Sequence, residues 1–301
     1  MLDVAAIRRE CARVARHGRF VRVLEDDVAR HAARLPELPP YPPPVATLPD
    51  ADPEHAAAFH LACDAINFGS GWFPTLRKRA GSSGSMTVML GLRDFFAAPG
   101  GGWTAVQLTR LAPAELAPVI GQDPGHPLVA LYALHLRELG SRVLAAYEGR
   151  FSGLASRPGL AAELASWPGF RDVSSYAGRL VPFFKRAQLT AYDMVCAGLA
   201  APGDEGVLTM FADNLVPHVL RVDGLLAYAP GLSARIEAGD PLLHGSREEV
   251  EIRACGLHAV ELIVAARPDL SAPGVDQLLW HRGQEAHYKA VPRHRSRCEA
   301  Y

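Results

Sequence analysis

Within a chain of 301 residues, the run 208–220, LTMFADNLVPHVL, sets one carboxylate, Asp213, between two apolar series. Leu208, Met210 and Phe211 precede it, and Leu215, Val216, Val219 and Leu220 follow, interrupted by Pro217 and His218. A carboxylate among such neighbours is neutral, paired, or held charged for a purpose, because burying an uncompensated charge is costly. Held charged at low dielectric, it acts strongly on a positive charge developing nearby. The same residues also permit a plainer role, since Asp ahead of an apolar-periodic run is a common helix cap.

Other groups offer chemistry of their own. In PFFKRAQLTAYDM, residues 182–194, Lys185 and Arg186 open an otherwise apolar helix, and Lys occurs elsewhere only at Lys78 and Lys289. Cations at a helix N-terminus oppose the macrodipole. An anionic ligand would relieve that conflict, and a snorkelling pair on a half-buried face is the structural alternative. In VDQLLWHRG, Trp280 follows Asp276 by one helical turn, so a flat base could stack beside a carboxylate. The same pair also fits a core aromatic with a surface acid. HRGQEAH groups His281, Glu285 and His287, without the H-E-x-x-H spacing or an obvious third ligand, so it reads as surface polarity at a helix end and no metal is expected. SREEVEIR, residues 246–253, has the capping-box pattern Ser246/Glu249 and an i,i+4 pair Glu249/Arg253, which helix stabilisation explains. GSSGS near residue 81 matches no phosphate-loop spacing and reads as a turn.

The elements that must position these groups are mostly helical. Nearly half the residues are hydrophobic and the formal net charge is −1, an ordinary composition with no basic excess for gripping long nucleic acid. The start, MLDVAAIRREC, has no apolar signal core, and no run is long enough to span a bilayer, which predicts a cytoplasmic protein. Five scattered cysteines with no C-x-x-C point to reduced thiols. Residues 3–16 and 20–34 read as amphipathic helices, and the Pro-rich 35–53 as an extended wrap. Asp52-Pro53-Glu54 opens another helix. Residues 86–97 read as helical or partly extended, and further helices are expected at 113–120, 127–148, 159–166, 181–199, 231–238, 246–266 and 274–285. The expectation is a mainly α, compact fold in one domain spanning 1–301, with a small extended pairing near the N-terminal third.

Several of these stretches together carry a resemblance. DAINFGSGW at 64–72, FRDV at 170–173, PFFKRAQLTAYDM, LTMFADNLVPHVL, REEVEIR with HAVELI at 258–263, and the tail PRHRSRCEAY resemble, in order, the motifs of the queuosine salvage proteins. That resemblance implies a helical fold related to helix-hairpin-helix DNA glycosylases. It also implies hydrolysis of the N-glycosidic bond of queuosine 5′-monophosphate, releasing queuine for tRNA, with no cofactor, no stable nucleic-acid partner and no membrane. Asp213 matches the acid of the family's F-A-D motif, its catalytic candidate, and Phe211 the Phe that contacts the base. Lys185 matches the Lys of Y-K-R-A-Q, a candidate for the phosphate, with His294 and Arg297 of the tail next in line. Asp276 and Trp280 match the D-x-x-x-W helix beside the base. The chain departs from the pattern at Gly69-Ser70-Gly71-Trp72, at Ser83-Gly84-Ser85-Met86 and at His281, where the family often has an acid. The family's N-terminal His has no clear match in residues 35–53.

Breaking a nucleoside C–N bond develops positive charge on the ribose carbon, which a carboxylate stabilises or attacks. A 7-deazaguanine lacks N7, so protonation at that position is closed and the leaving base must be helped at other ring atoms. A cationic side-chain amine on the base would favour an acidic partner near the pocket rim. The competing readings are a helix-hairpin-helix nucleic-acid-binding module without catalysis, against which the near-zero net charge argues, and a helical scaffold.

Overall fold

The computed structural model describes residues 2–38, 46–48, 51–203 and 207–301. Much of the expected Pro-rich wrap, including 39–45 and 49–50, lies outside the described residues. Helix α1 (Val4–His17) is followed by strand β1 (Val21–Val23) and α2 (Val28–Ala32). Next come α3 (Pro53–Ala65), α4 (Gly84–Ala97), α5 (Ala105–Thr109), α6 (Pro113–Val119), α7 (Pro127–Ala146), α8 (Phe151–Ala155) and α9 (Leu160–Ala165). A hairpin of β2 (Val173–Tyr176) and β3 (Arg179–Pro182) leads into α10 (Lys185–Cys196). The order closes with α11 (Val216–Val222), β4 (Leu226–Tyr228), α12 (Pro230–Glu237), α13 (Arg247–Ala266), α14 (Ala272–Arg282) and α15 (Ala286–Ala290). The chain is mainly helical, as its periodicity predicts. No helix among the described residues is long and apolar enough to cross a membrane.

Local signals set the helix starts. The Asp52 side chain accepts the N–H groups of Glu54 and His55 at 3.0 Å each, and Pro53 occupies the first turn of α3, where its missing N–H costs nothing. Ser246 caps α13 through the Glu249 N–H, and Glu249 returns a bond to the Gly245 N–H at 3.0 Å. Helix α13 is buried almost all round, as befits a central element, and α1, α2, α11, α14 and β1 pack on it. On the other side, α7 packs against α3, α5 and α6, and α3 continues onto α4, α8 and α10.

Residues 20–34 do not form one helix. Val21, Arg22 and Val23 form β1 with alternating burial, antiparallel to β4 in the register Val21↔Tyr228, Arg22↔Ala227, Val23↔Leu226. Only Val28–Ala32 is α-helical there. The β-branched valines suit a strand, and the deciding partner lies some two hundred residues away, beyond any local window. The expected pairing at the N-terminal third is thus made with a distant strand. A second correction concerns residues 181–199, whose first residues belong to β3. The β2–β3 hairpin turns through Ala177 and Gly178, both with positive φ (50° and 77°), as a tight two-residue turn requires.

The Glu251 carboxylate, fully buried on α13, ties three layers together. Its Oε2 accepts the N–H groups of Arg19, Phe20 and Val21 at 2.9, 2.6 and 3.0 Å, and its Oε1 accepts the Tyr176 hydroxyl at 2.7 Å. The charge removed from water is repaid by four donors.

Candidate active site

One face of each of three helices, together with the loop before α11, encloses a cavity of about 110 Å³. That is many times the ~10–15 Å³ needed for one water, so the cavity can hold a small molecule. Helix α3 presents His60 and Asp64 at i and i+4, with Asn67 one turn on. Helix α10 presents Lys185, Leu189, Tyr192 and Asp193, and α14 presents Asp276 and Trp280 one turn apart. The loop supplies Phe211 and Asp213, the start of α4 supplies Ser83 and Ser85, and the C-terminal tail supplies Arg293 and Tyr301. Five residues singled out from sequence, Asp213, Phe211, Asp276, Trp280 and Lys185, therefore share one cavity.

His294 is not among them. It is 2 % exposed, its Nε2 lies 3.4 Å from the Tyr301 hydroxyl, and its carbonyl accepts the Asn214 amide. Burial lowers its pKa to about 3, so it is a neutral packing residue. Arg297 is exposed and also lies off the cavity.

Asp213 caps a helix start, as its sequence context allows, and also lines the cavity. Its Oδ1 accepts the N–H groups of Leu215 at 2.8 Å and Val216 at 3.1 Å, which fixes the start of α11. Its Oδ2 has no donor among the described residues, and the side chain lines the cavity only half-buried. One oxygen orients the carboxylate and the other is left for a ligand. Asp276 Oδ1 accepts the Phe211 N–H at 3.0 Å, so α14 holds the loop that carries Asp213. Phe211 packs against Tyr192 with ring centroids 5.7 Å apart. Burial, reinforced by the neighbouring Asp213 carboxylate, pushes the Asp276 carboxyl well above the usual range. A carboxyl that burial favours in its neutral form can serve as a donor in the cavity.

Lys185 is positioned by backbone conformation. Phe184 stands at φ 49°, and Asp172 accepts the Phe183 and Phe184 N–H groups on its carbonyl and the Lys185 N–H on Oδ2 at 3.0 Å. The ammonium donates to Asn67 O and Oδ1 at 3.1 and 3.0 Å. Burial lowers its pKa, and Asp213, Asp64 and Asp276 oppose that shift. Arg186, expected either to bind an anion or to snorkel, does neither. Its guanidinium donates to the Ala65 carbonyl at 2.6 Å and to the Gly169 carbonyl, and it lies 4.9 Å from the Phe68 and Phe170 ring centroids. Arg186 therefore cannot substitute for Lys185 in the cavity.

Sequence reasoning passed over three further residues of the cavity, Asp64, Asp193 and Arg293. The signal for the two acids was their place on the apolar faces of α3 and α10. Asp64 is 3 % exposed and its Oδ2 has no donor among the described residues apart from any proton shared with Asp193. Burial raises both carboxyls, Asp193 to about 7. A carboxyl whose folded pKa exceeds its unfolded value holds its proton more tightly when folded. Its contribution to stability is full below the unfolded value, 3.8, and is lost as pH rises through about 7. Asp193→Asn should therefore flatten the fall in melting temperature between about pH 5 and 8. Equal slopes in variant and wild type would show that the pair does not titrate in that range.

Away from the cavity, His287 and Glu285 approach to 3.6 Å on the surface, and no cluster of three metal-ligating side chains occurs among the described residues.

A mainly helical chain that closes a carboxylate-rich, aromatic-walled cavity is the class that fold and site define. Residues 47–301 match the model of the queuosine salvage protein family, and the chain belongs to that family. It is 37 % identical over 211 residues to a queuosine 5′-phosphate N-glycosylase/hydrolase of Sphaerobacter thermophilus, covering 65 % of each chain. It is 30 % identical over 213 residues to the protein of the same name from Mus musculus, covering 62 % of this chain and 63 % of the mouse protein. With the Schizosaccharomyces pombe protein of that name the identity is 34 % over 162 residues, covering 50 % of this chain and 47 % of the relative. The matched region is thus just under two thirds of the first two relatives' length.

Proposed function

We propose that this protein hydrolyses the N-glycosidic bond of queuosine 5′-monophosphate and releases queuine for salvage into tRNA. Its support is the family match together with one observation: an oriented carboxylate, Asp213, with a free oxygen in an aromatic-walled cavity. In this reading the Asp213 Oδ2 faces the ribose carbon and stabilises or attacks the cation that develops as the C–N bond lengthens. The base lies against Phe211 and Trp280. Asp276, favoured in its neutral form by burial, donates a proton or hydrogen bond to the departing 7-deazaguanine, which has no N7 to protonate. The excess of carboxyls in the cavity suits the cationic amine of queuine. Lys185, with one ammonium hydrogen beyond those given to Asn67, contacts substrate oxygen.

The reading includes kinship with helix-hairpin-helix DNA glycosylases and a single domain over 1–301. Support for the single domain is the packing of α1 and β1 onto α13 and β4. We place the protein in the cytoplasm, with free cysteines at all five positions as support. No cofactor, metal, nucleic-acid or membrane partner enters the reaction.

Incubation with queuosine 5′-monophosphate and chromatography for free queuine tests the activity; no release at high enzyme concentration would end the proposal. Trp280→Ala is expected to weaken queuine by about 1–3 kcal/mol, the worth of one base stacked on one aromatic. Calorimetric titration would show this, and an unchanged affinity would return Trp280 to a packing role.

A further inference from the structure

Three arginines sit in or beside the interior, and two are fully engaged. Arg186 is held by the Ala65 and Gly169 carbonyls, and Arg253 by Asp172 and the Ala212 carbonyl. Arg293 differs. It lines the cavity, yet its guanidinium makes no hydrogen bond or ion pair among the described residues. The side chain is half-buried, and its five donors find no acceptor among the described residues, so they are available to a ligand that enters the cavity. Asp213 lies within electrostatic reach of Arg293 without being paired to it. The Ser70 hydroxyl, which also lines the cavity, is buried and without a partner. The segment bearing Ser70 packs directly on the tail that carries Arg293: a Cβ on Gly71 would stand 2.5 Å from the Ser296 carbonyl oxygen.

We propose that Arg293, together with Ser70, receives the 5′-phosphate and so selects the nucleotide over the free nucleoside. The inference rests on the function proposed above. The phosphate hangs from the ribose whose C1 faces Asp213, so its receptor must lie near Asp213 without being consumed by it. Lys185 is the weaker candidate. Two of its donors are spent on Asn67, and Asp213, Asp64, Asp276 and Asp193 all act on it, an acidic setting for a dianion. A planar guanidinium also matches phosphate oxygens two at a time.

The test compares kcat/KM for queuosine 5′-monophosphate and for queuosine in wild type, Arg293→Gln, Arg293→Lys and Lys185→Ala. The ratio of the two should fall about 10- to 100-fold in Arg293→Gln, as expected for losing a charge-assisted contact, and less in Arg293→Lys. An unchanged ratio in Arg293→Gln with a collapsed ratio in Lys185→Ala would move the phosphate to Lys185. An equal loss on both substrates would make Arg293 a partner of Asp213 only. Either result overturns the proposal. Ribose 5-phosphate supplies a second measurement that does not depend on the base. It should raise the melting temperature of wild type and not of Arg293→Gln. Protection without queuine release would sink the proposed function and keep the phosphate site, whereas equal protection of both proteins would sink the site.

Discussion

Asp213→Asn is expected to slow queuine release from queuosine 5′-monophosphate by roughly 10²–10³-fold, and by more if Asp213 is the nucleophile. The variant separates the residue's two duties. An Asn carbonyl can still accept the Leu215 and Val216 N–H groups that the Asp213 Oδ1 accepts at 2.8 and 3.1 Å, so α11 keeps its start. What changes is the other oxygen, which becomes an amide NH₂ without charge. The melting temperature should therefore stay near that of wild type while single-turnover queuine release collapses. Asp213→Ala removes both duties and should lose about 1 kcal/mol of stability in addition, the usual worth of a cap. Near-normal turnover in the Asn variant, with folding intact, would reduce Asp213 to its capping role.

Arg253→Met is expected to be the most destabilising change, at about 3–5 kcal/mol, the usual cost of stranding the partner of a buried charge pair. Arg253 is fully buried on α13 and donates to Asp172 Oδ1 and Oδ2 at 3.0 and 2.6 Å and to the Ala212 carbonyl at 2.9 Å. Its guanidinium lies 4.0 Å from the Phe183 ring centroid and 4.6 Å from that of Tyr301. Asp172 in turn holds the start of α10 at Lys185, and Ala212 precedes Asp213. One side chain thus braces both Lys185 and Asp213 without reaching the cavity itself. Urea denaturation would measure the loss. The double variant Arg253→Met/Asp172→Asn removes the stranded charge and should recover part of the stability, giving a large coupling energy. Strictly additive effects would mean that the two side chains do not support one another.

The contrast between Arg253 and Asp213 shows what a sequence can disclose. Asp213 stood out because a lone acid interrupts an apolar pattern, and the structure has it both capping α11 and lining the cavity. Phe211 followed from motif resemblance, Asp276 and Trp280 from their one-turn spacing as well, and each lies on the cavity. Arg253 was assigned to an i,i+4 pair with Glu249, which exists at 3.5 Å, but both groups are buried and the stronger partner, Asp172, is eighty-one residues away. Local spacing carries no information about such a partner. Nor did it disclose that the phenyl rings flanking Arg186 would enclose it, or that β1 would be a strand. Asp64 and Asp193 could have been noticed, since acids on otherwise apolar helix faces break the pattern as Asp213 does, but their mutual approach depends on how α3 crosses α10. Arg293 lay within the tail motif PRHRSRCEAY, but Arg is common in this chain and nothing in the spacing set it apart from Arg295 and Arg297.

The pairing of β1 with β4 and the seating of α1 on α13 also bear on how the chain is made. About 230 residues separate the end of α1 from the start of α13, so at ~5–20 residues per second the ribosome takes roughly 10–50 s to deliver the surface on which α1 rests. Throughout that interval the Ile7, Cys11 and Val14 stripe, fully covered in the finished molecule, has no native cover from α13, and the amides of Arg19, Phe20 and Val21 have no Glu251 to bind. Helix α1 must therefore wait until α13 has been made, which makes closure of the β1–β4 ribbon a late event in folding.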